Sequence, residues 1–174
     1  GALSVGIWVL IGGTVAFGYS AIRGLPDSEA VRTVGMMPRA TTLMDVKGRH
    51  AFTIFQEQRL HVPLAKISPH LVRALLAAED QRFYSHGGFD LIRVVGAGVN
   101  NLLAGRAEQG GSTITQQLAR LAFLTPDKTF RRKLQEVVVA IRLEQAFSKD
   151  EILELYLNKA YFGDGLYGVE AASL

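Results

Sequence analysis

From Ser68 onward, apolar residues recur at helical spacing and are cut into lengths by capping signals, a punctuation that leaves room for little but a stack of helices. Ser68-Pro69 pairs an N-cap residue with proline at the first helical position, and starts a helix through Leu71, Leu75 and Ala78 toward Phe83. Asp90 caps a second helix, Leu91 to Leu103, which Gly105 ends. Thr113 with Gln116, and Ser148 with Glu151, have the spacing of capping boxes. They open a third helix reaching about Phe123 and a fifth through Ile152, Leu155 and Tyr156. Pro126-Asp127 precedes a long fourth helix, roughly Thr129 to Phe147.

Upstream the pattern changes. Gly1 to Ile22 carries no charge, and a helix of about 20 such residues would cross a ~30 Å hydrocarbon layer. Residues 1–23, closed by Arg23, are therefore expected to form a transmembrane anchor. A signal peptide is the weaker alternative, because no A-x-A-like cleavage site is in evidence, and a buried core helix is weaker still. Residues 24–61 are expected to hold a linker and a small β-hairpin: Gly24 to Arg39 mixes Gly, Pro and charge without period, and Thr42 to Val46 and Ala51 to Phe55 flank a Lys47-Gly48 turn. The chain starts without methionine and stops at Leu174 inside an apolar helical pattern, so a fragment is expected. Its 174 residues suit one core that needs no disulfide, and the lack of cysteine excludes thiol catalysis and Cys-ligated zinc. A net charge of +3 implies only mild attraction for anions, whether nucleic acid, phosphates or acidic lipid.

Two runs interrupt the helical pattern with polar groups that would need partners if buried: Glu79 to Asp90, EDQRFYSHGGFD, and Gly110 to Gln117, GGSTITQQ. On a helical wheel Glu79 falls about 80° from Leu71, within the stripe of Leu75 and Phe83. A carboxylate there is partly desolvated and a better proton acceptor than a surface glutamate; the alternative is a helix-end carboxylate turned to water. Asp80, on the opposite side, and Asp90, as a cap, read as structural. His86 is taken as standing apart from any second ligand at metal-pair spacing, so a loop-fixing hydrogen bond is expected rather than a metal site. On the fourth helix Arg132, Lys133 and Glu136 share an arc of about 100°. Either they are a solvated ion-pair set, or, with Arg120, they hold a phosphate-bearing leaving group. The Gly110-Gly111-Ser112-Thr113 turn offers free N–H groups and hydroxyls that suit an anion or a sugar, and Gln116 and Gln117 add amides able to donate and accept.

Together these runs resemble the peptidoglycan glycosyltransferase domain of class A penicillin-binding proteins and of the monofunctional transglycosylases, glycosyltransferase family 51. The resemblance covers about residues 62–174 and adds RRKLQEVVVAIRLE at Arg131 to Glu144, KDEILELYLN at Lys149 to Asn158 and AYFGDGLYGVEAASL at Ala160 to Leu174. It implies a mainly α, lysozyme-like two-lobed fold, tethered to the bacterial cytoplasmic membrane with its catalytic domain on the outer, periplasmic face. The implied reaction polymerises lipid II into β-1,4-linked glycan strands, releasing undecaprenyl pyrophosphate with inversion at the anomeric carbon. Carried over from the family, Glu79 is the general base and Glu136 the second essential glutamate. Asp80, Phe83 and His86 shape the first motif; Ser112, Thr113, Gln117 and Arg120 serve the substrate cleft; Arg132 and Lys133 are the basic pair near the pyrophosphate. Arg120 stands where many relatives carry lysine, which changes a point charge to a fork. No cofactor is implied as required, although Mg²⁺ at the pyrophosphate is allowed. The implied partners are lipid II, the growing glycan strand, the membrane and other cell-wall synthesis proteins, with no nucleic acid. A lysozyme-like hydrolase and a non-enzymatic membrane scaffold are the rivals, the first disfavoured because pyrophosphate leaves without an acid but needs cations.

Overall fold

The computed structural model describes residues 2–35, 41–44, 50–54, 58–59, 61–104, 110–163 and 165–174. In chain order these hold helices α1 (Ala2–Ile22) and α2 (Ser28–Arg32), then strands β1 (Thr41–Met44), β2 (His50–Ile54) and β3 (Gln58–Arg59). Helices α3 (Pro69–Glu79), α4 (Leu91–Ala104), α5 (Ile114–Phe123), α6 (Phe130–Ala146) and α7 (Lys149–Lys159) follow. Strands β4 (Tyr161–Gly163) and β5 (Leu166–Tyr167) and helix α8 (Val169–Ser173) come last. The described chain is mainly helical, as its periodicity predicts.

α5 lies at the centre, packed on α6 and α7. Its buried Ile114 and Leu118 meet Val139 and Leu143 of α6 and Ile152, Leu153 and Leu157 of α7 in one apolar cluster. The i, i+4 spacing of 114/118, 139/143 and 153/157 puts each pair on one helix face, and each buried side chain contributes about 1.5–3 kcal/mol of transfer energy. Gly88, at φ +85°, lets the preceding loop lie against α6, where a Cβ would stand 3.0 Å from the Ala140 backbone.

Local capping decides most helix starts. Both expected capping boxes form, at Thr113/Gln116 and Ser148/Glu151. Thr129 caps α6 through the Arg132 N–H at 3.1 Å, and Asp90 caps α4 through the Arg93 N–H at 2.9 Å. Ser68 occupies its expected position, but its hydroxyl makes no cap bond.

Three features depart from the sequence-based expectations. α3 ends at Glu79 rather than running to Phe83, because Asp80 leaves helical geometry (φ −162°, ψ 77°) to accept the Ile114 N–H at 3.0 Å. Phe83 sits instead in a separate 3-10 turn, Phe83–Ser85, and is buried. The expected linker contains α2, whose first turn is capped by Asp27 and whose Val31 is fully buried. The hairpin forms as an antiparallel pair, Thr42 opposite Thr53 and Leu43 opposite Phe52, while its expected Lys47-Gly48 turn lies outside the described residues. A second sheet of order β3-β5-β4, absent from the sequence-based expectations, joins residues 58–59 to the strands after α7.

Over residues 1–23, where an anchor is expected, the chain forms α1. Among the described residues no helix is long and apolar enough to cross a membrane. α1 is helical and carries no charged residue. Its last turn is docked on α6: Arg131 donates to the Ser20 carbonyl and Gln135 to the Ala21 carbonyl, both at 2.8 Å, and Phe17 stacks on Phe130.

Candidate active site

The polar run after α3 folds around Asp80. This fully buried carboxylate accepts from His86 Nε2 at 3.0 Å and from the Ile114 N–H, joining the end of α3 to the start of α5. The bond to Asp80 requires the proton on His86 Nε2, so the histidine does fix the loop, as its sequence context predicts. Asp90 is bound by both arms of Arg82, at 2.6 and 2.9 Å. Burial pushes the Asp90 carboxyl up, but the Arg93 N–H and the Arg82 guanidinium outweigh it and hold the group below the usual carboxylate range.

His86 does not stand apart from possible ligands, contrary to the sequence-based expectation. Asp90 is four residues on, and Asp80, His86 and Asp90 each bring a ligand-type atom within 4.8 Å of the others. Their chemistry does not fit a divalent cation. Both Asp90 oxygens already hold Arg82, and Asp80 already holds His86 and a backbone N–H.

The first turn of α5 divides the site, because its adjacent glutamines project about 100° apart. On one side Gln117 Nε2 donates to Glu79 Oε2 at 2.9 Å, and the Tyr156 hydroxyl donates to Gln117 Oε1 at 3.1 Å. Glu79 is half-buried, not turned to bulk water. Burial first, then the Glu79 charge, pushes the Tyr156 phenol above its ordinary value, with Arg120 opposing. Arg120 therefore acts electrostatically on the Glu79 side.

On the other side Lys133 Nζ donates to Ser112 Oγ (2.6 Å), Gln116 Oε1 (3.1 Å) and Glu136 Oε2 (2.9 Å). Arg132 Nε stands 3.1 Å from Glu136 Oε1. That approach is off line for a hydrogen bond, so charge holds the pair, and both atoms, with Gln116 Nε2, are buried without a hydrogen-bond partner among the described residues. Glu136 is only 1% exposed, which rules out a solvated surface ion-pair set. Two cations facing one carboxylate leave this cluster with an excess positive charge.

The expected residues thus divide by role. Glu79, Gln117, Ser112, Arg132, Lys133 and Glu136 meet around the start of α5. Asp80, His86 and Thr113 support it from below: buried Thr113 caps Gln116 and also donates to the Gly88 carbonyl at 2.8 Å. Phe83 is core, with His86 edge-on and Lys149 Nζ 4.5 Å above its ring. Tyr156 escaped sequence-based selection because its position in the α7 stripe reads as packing. A cavity of about 350 Å³ opens beside Arg131 and Arg132, walled by Gly24, Leu25, Pro26 and Phe123. A larger one, about 490 Å³, lies between Ala77, Arg82, Ile92 and Arg93 and contains neither glutamate.

Fold and site define a helical domain with a half-buried carboxylate on one side of a helix start and a buried carboxylate ringed by cations on the other. The transglycosylase family profile matches residues 47–174. The chain belongs to that family. It is 42% identical over 173 residues to penicillin-binding protein 1A of Aquifex aeolicus, covering 99% of this chain and 24% of that protein. It is 46% identical over 148 residues to penicillin-binding protein 1A of Escherichia coli, covering 79% of this chain and 17% of the relative. Against the biosynthetic peptidoglycan transglycosylase of Thiobacillus denitrificans it is 43% identical over 148 residues, 85% of this chain and 60% of the other. The chain thus spans about a quarter or less of the penicillin-binding proteins cited.

Proposed function

We propose that the protein is a peptidoglycan glycosyltransferase that polymerises lipid II into β-1,4-linked glycan and releases undecaprenyl pyrophosphate with inversion. The family match and a relative named for biosynthetic peptidoglycan transglycosylation support this reading. The observation that carries it is the pairing of Glu79 with a separate cluster of excess positive charge across the start of α5. Glu79 takes the proton of the acceptor 4-hydroxyl as that oxygen bonds to C1 of the donor sugar. The bond from C1 to the diphosphate breaks, and the charge left on the diphosphate oxygen is met by Arg132 and Lys133. Glu136 holds both cations in place and restrains their charge until the diphosphate forms.

A hydrolase would need a second carboxyl to protonate a leaving sugar oxygen. The nearest in sequence, Asp80, is buried and committed to His86 and Ile114. The larger fold is inferred to be two-lobed and lysozyme-like, working at the outer face of the bacterial cytoplasmic membrane. The exposed Trp8, Ile11, Val15 and Phe17 of α1 support contact with lipid there. The growing strand and other cell-wall synthesis proteins are its inferred partners. A polyprenyl-borne anion arriving along α1 would meet the cavity beside Arg131 and Arg132.

The test is lipid II polymerisation by the full-length protein carrying Glu79→Gln. Product formation falls by at least about a hundredfold, the scale of a lost general base, while the melting temperature stays near that of the wild type. Unchanged polymer would remove the mechanism, and glycan fragments released without lipid II consumption would favour the hydrolase.

A further inference from the structure

We propose that Tyr156 is a positioning residue for the base: it locks the Gln117 amide so that Glu79 receives its proton on one defined oxygen, Oε1. The proposal rests on the reading of Glu79 as the base.

An amide's oxygen and nitrogen occupy nearly the same space, so a glutamine beside a carboxylate has two orientations of very different value. With Nε2 forward it donates to the carboxylate; with Oε1 forward it sets a lone pair against a negative charge. Contact with Glu79 favours the first only while Glu79 is charged, so the preference would lapse when the proton arrives. Tyr156 supplies a reference that does not change during the reaction. Its hydroxyl donates to Gln117 Oε1 at 3.1 Å, which turns Nε2 toward Glu79 Oε2 at 2.9 Å. Among the described residues no hydrogen bond or ion pair is made to Glu79 Oε1. In the transfer the acceptor O–H bond breaks and an Oε1–H bond forms, while Oε2 keeps its bond to Gln117.

Tyr156 is suited to this task in two ways. Burial and the neighbouring Glu79 charge keep its phenol protonated, so it remains a donor at neutral pH. Its ring is fixed by α7, where Leu153, Leu155 and Leu157 are also buried and where Ser148 and Glu151 cap the first turn.

Tyr156→Phe, Gln117→Leu, their combination and Glu79→Gln are made in the full-length protein and assayed for lipid II polymerisation, with kcat and KM measured separately. Tyr156→Phe, which keeps the packed ring, lowers kcat about five- to tenfold, the scale of one hydrogen bond between neutral groups, and leaves KM within about twofold. The double variant is no slower than Gln117→Leu alone, since both substitutions remove one device. Wild-type kcat in Tyr156→Phe, or a double variant whose loss equals the product of the single losses, overturns the proposal. If Tyr156→Phe does not fold, Gln117→Leu is decisive on its own: a lowered kcat with KM within about twofold supports the device, and wild-type kcat overturns it. Activity surviving in Glu79→Gln defeats the underlying reading instead. An inactive Glu79→Gln beside a wild-type Tyr156→Phe defeats only this inference.

Discussion

Asp90 shows how a single carboxyl joins structure to pH. It caps α4 through the Arg93 N–H and holds the Arg82 guanidinium with both oxygens. Its folded-state pKa lies below the ordinary 3.8, so its contribution is fully present above that value and is lost as pH falls through the lower folded value. Asp90→Asn keeps a capping oxygen and loses the ion pair. Because Arg82 is 43% exposed, solvent screening discounts that loss to about 1 kcal/mol. In urea titrations the variant is less stable than the wild type by that amount at pH 7, and the gap closes as pH drops below about 3.8. A gap that persists at acid pH would show that shape, not charge, matters at this position.

Among the elements, α5 carries the most because its first turn supports both halves of the site. Thr113 is fully buried there, its hydroxyl used by the Gln116 N–H and the Gly88 carbonyl, and the Gln116 amide holds Lys133. Thr113→Val preserves the shape and removes both bonds, leaving buried groups unpaired at a cost of about 2–3 kcal/mol. Ser148→Ala removes the cap of α7, whose bonds are exposed, and costs about 1 kcal/mol. Denaturant unfolding compares the two, and equal losses would mean that burial does not set the value of these caps. Both boxes were legible in the sequence because a cap satisfies its own next turn. The end of α3 was not, because a residue thirty-four positions away, Ile114, supplies the N–H that draws Asp80 out of the helix. The wheel that put Glu79 in an apolar stripe found the right face of α3 although Phe83 is not on that helix. The arc of Arg132, Lys133 and Glu136 was legible for the same local reason, but its burial depends on packing against α5 and was not.

Across the whole molecule, bonds between distant segments set the frame in which these helices work, and residue type alone does not disclose them. Asn158 accepts the Val62 N–H at 2.8 Å and donates to its carbonyl at 2.9 Å, tying the approach to α3 to the end of α7. A second frame joint lies on α6, the helix that carries the cation cluster. Arg131 and Gln135, one turn apart on it, bind the last carbonyls of α1, and their neighbours Arg132 and Glu136 belong to the site. α1 and the cation cluster are therefore fixed to the same rigid helix, so the angle at which α1 leaves the domain also sets how the cations face whatever surrounds it. Replacing both Arg131 and Gln135 with Ala releases the end of α1 while leaving the α5–α6–α7 cluster intact. Trypsin then cleaves after the exposed Arg23 several-fold faster, because cleavage needs the local opening that these two bonds resist. The global unfolding midpoint moves little, since neither side chain belongs to the buried apolar cluster. Unchanged cleavage would mean that α1 is held by its contacts with α6, such as Phe17 on Phe130, and not by these two bonds.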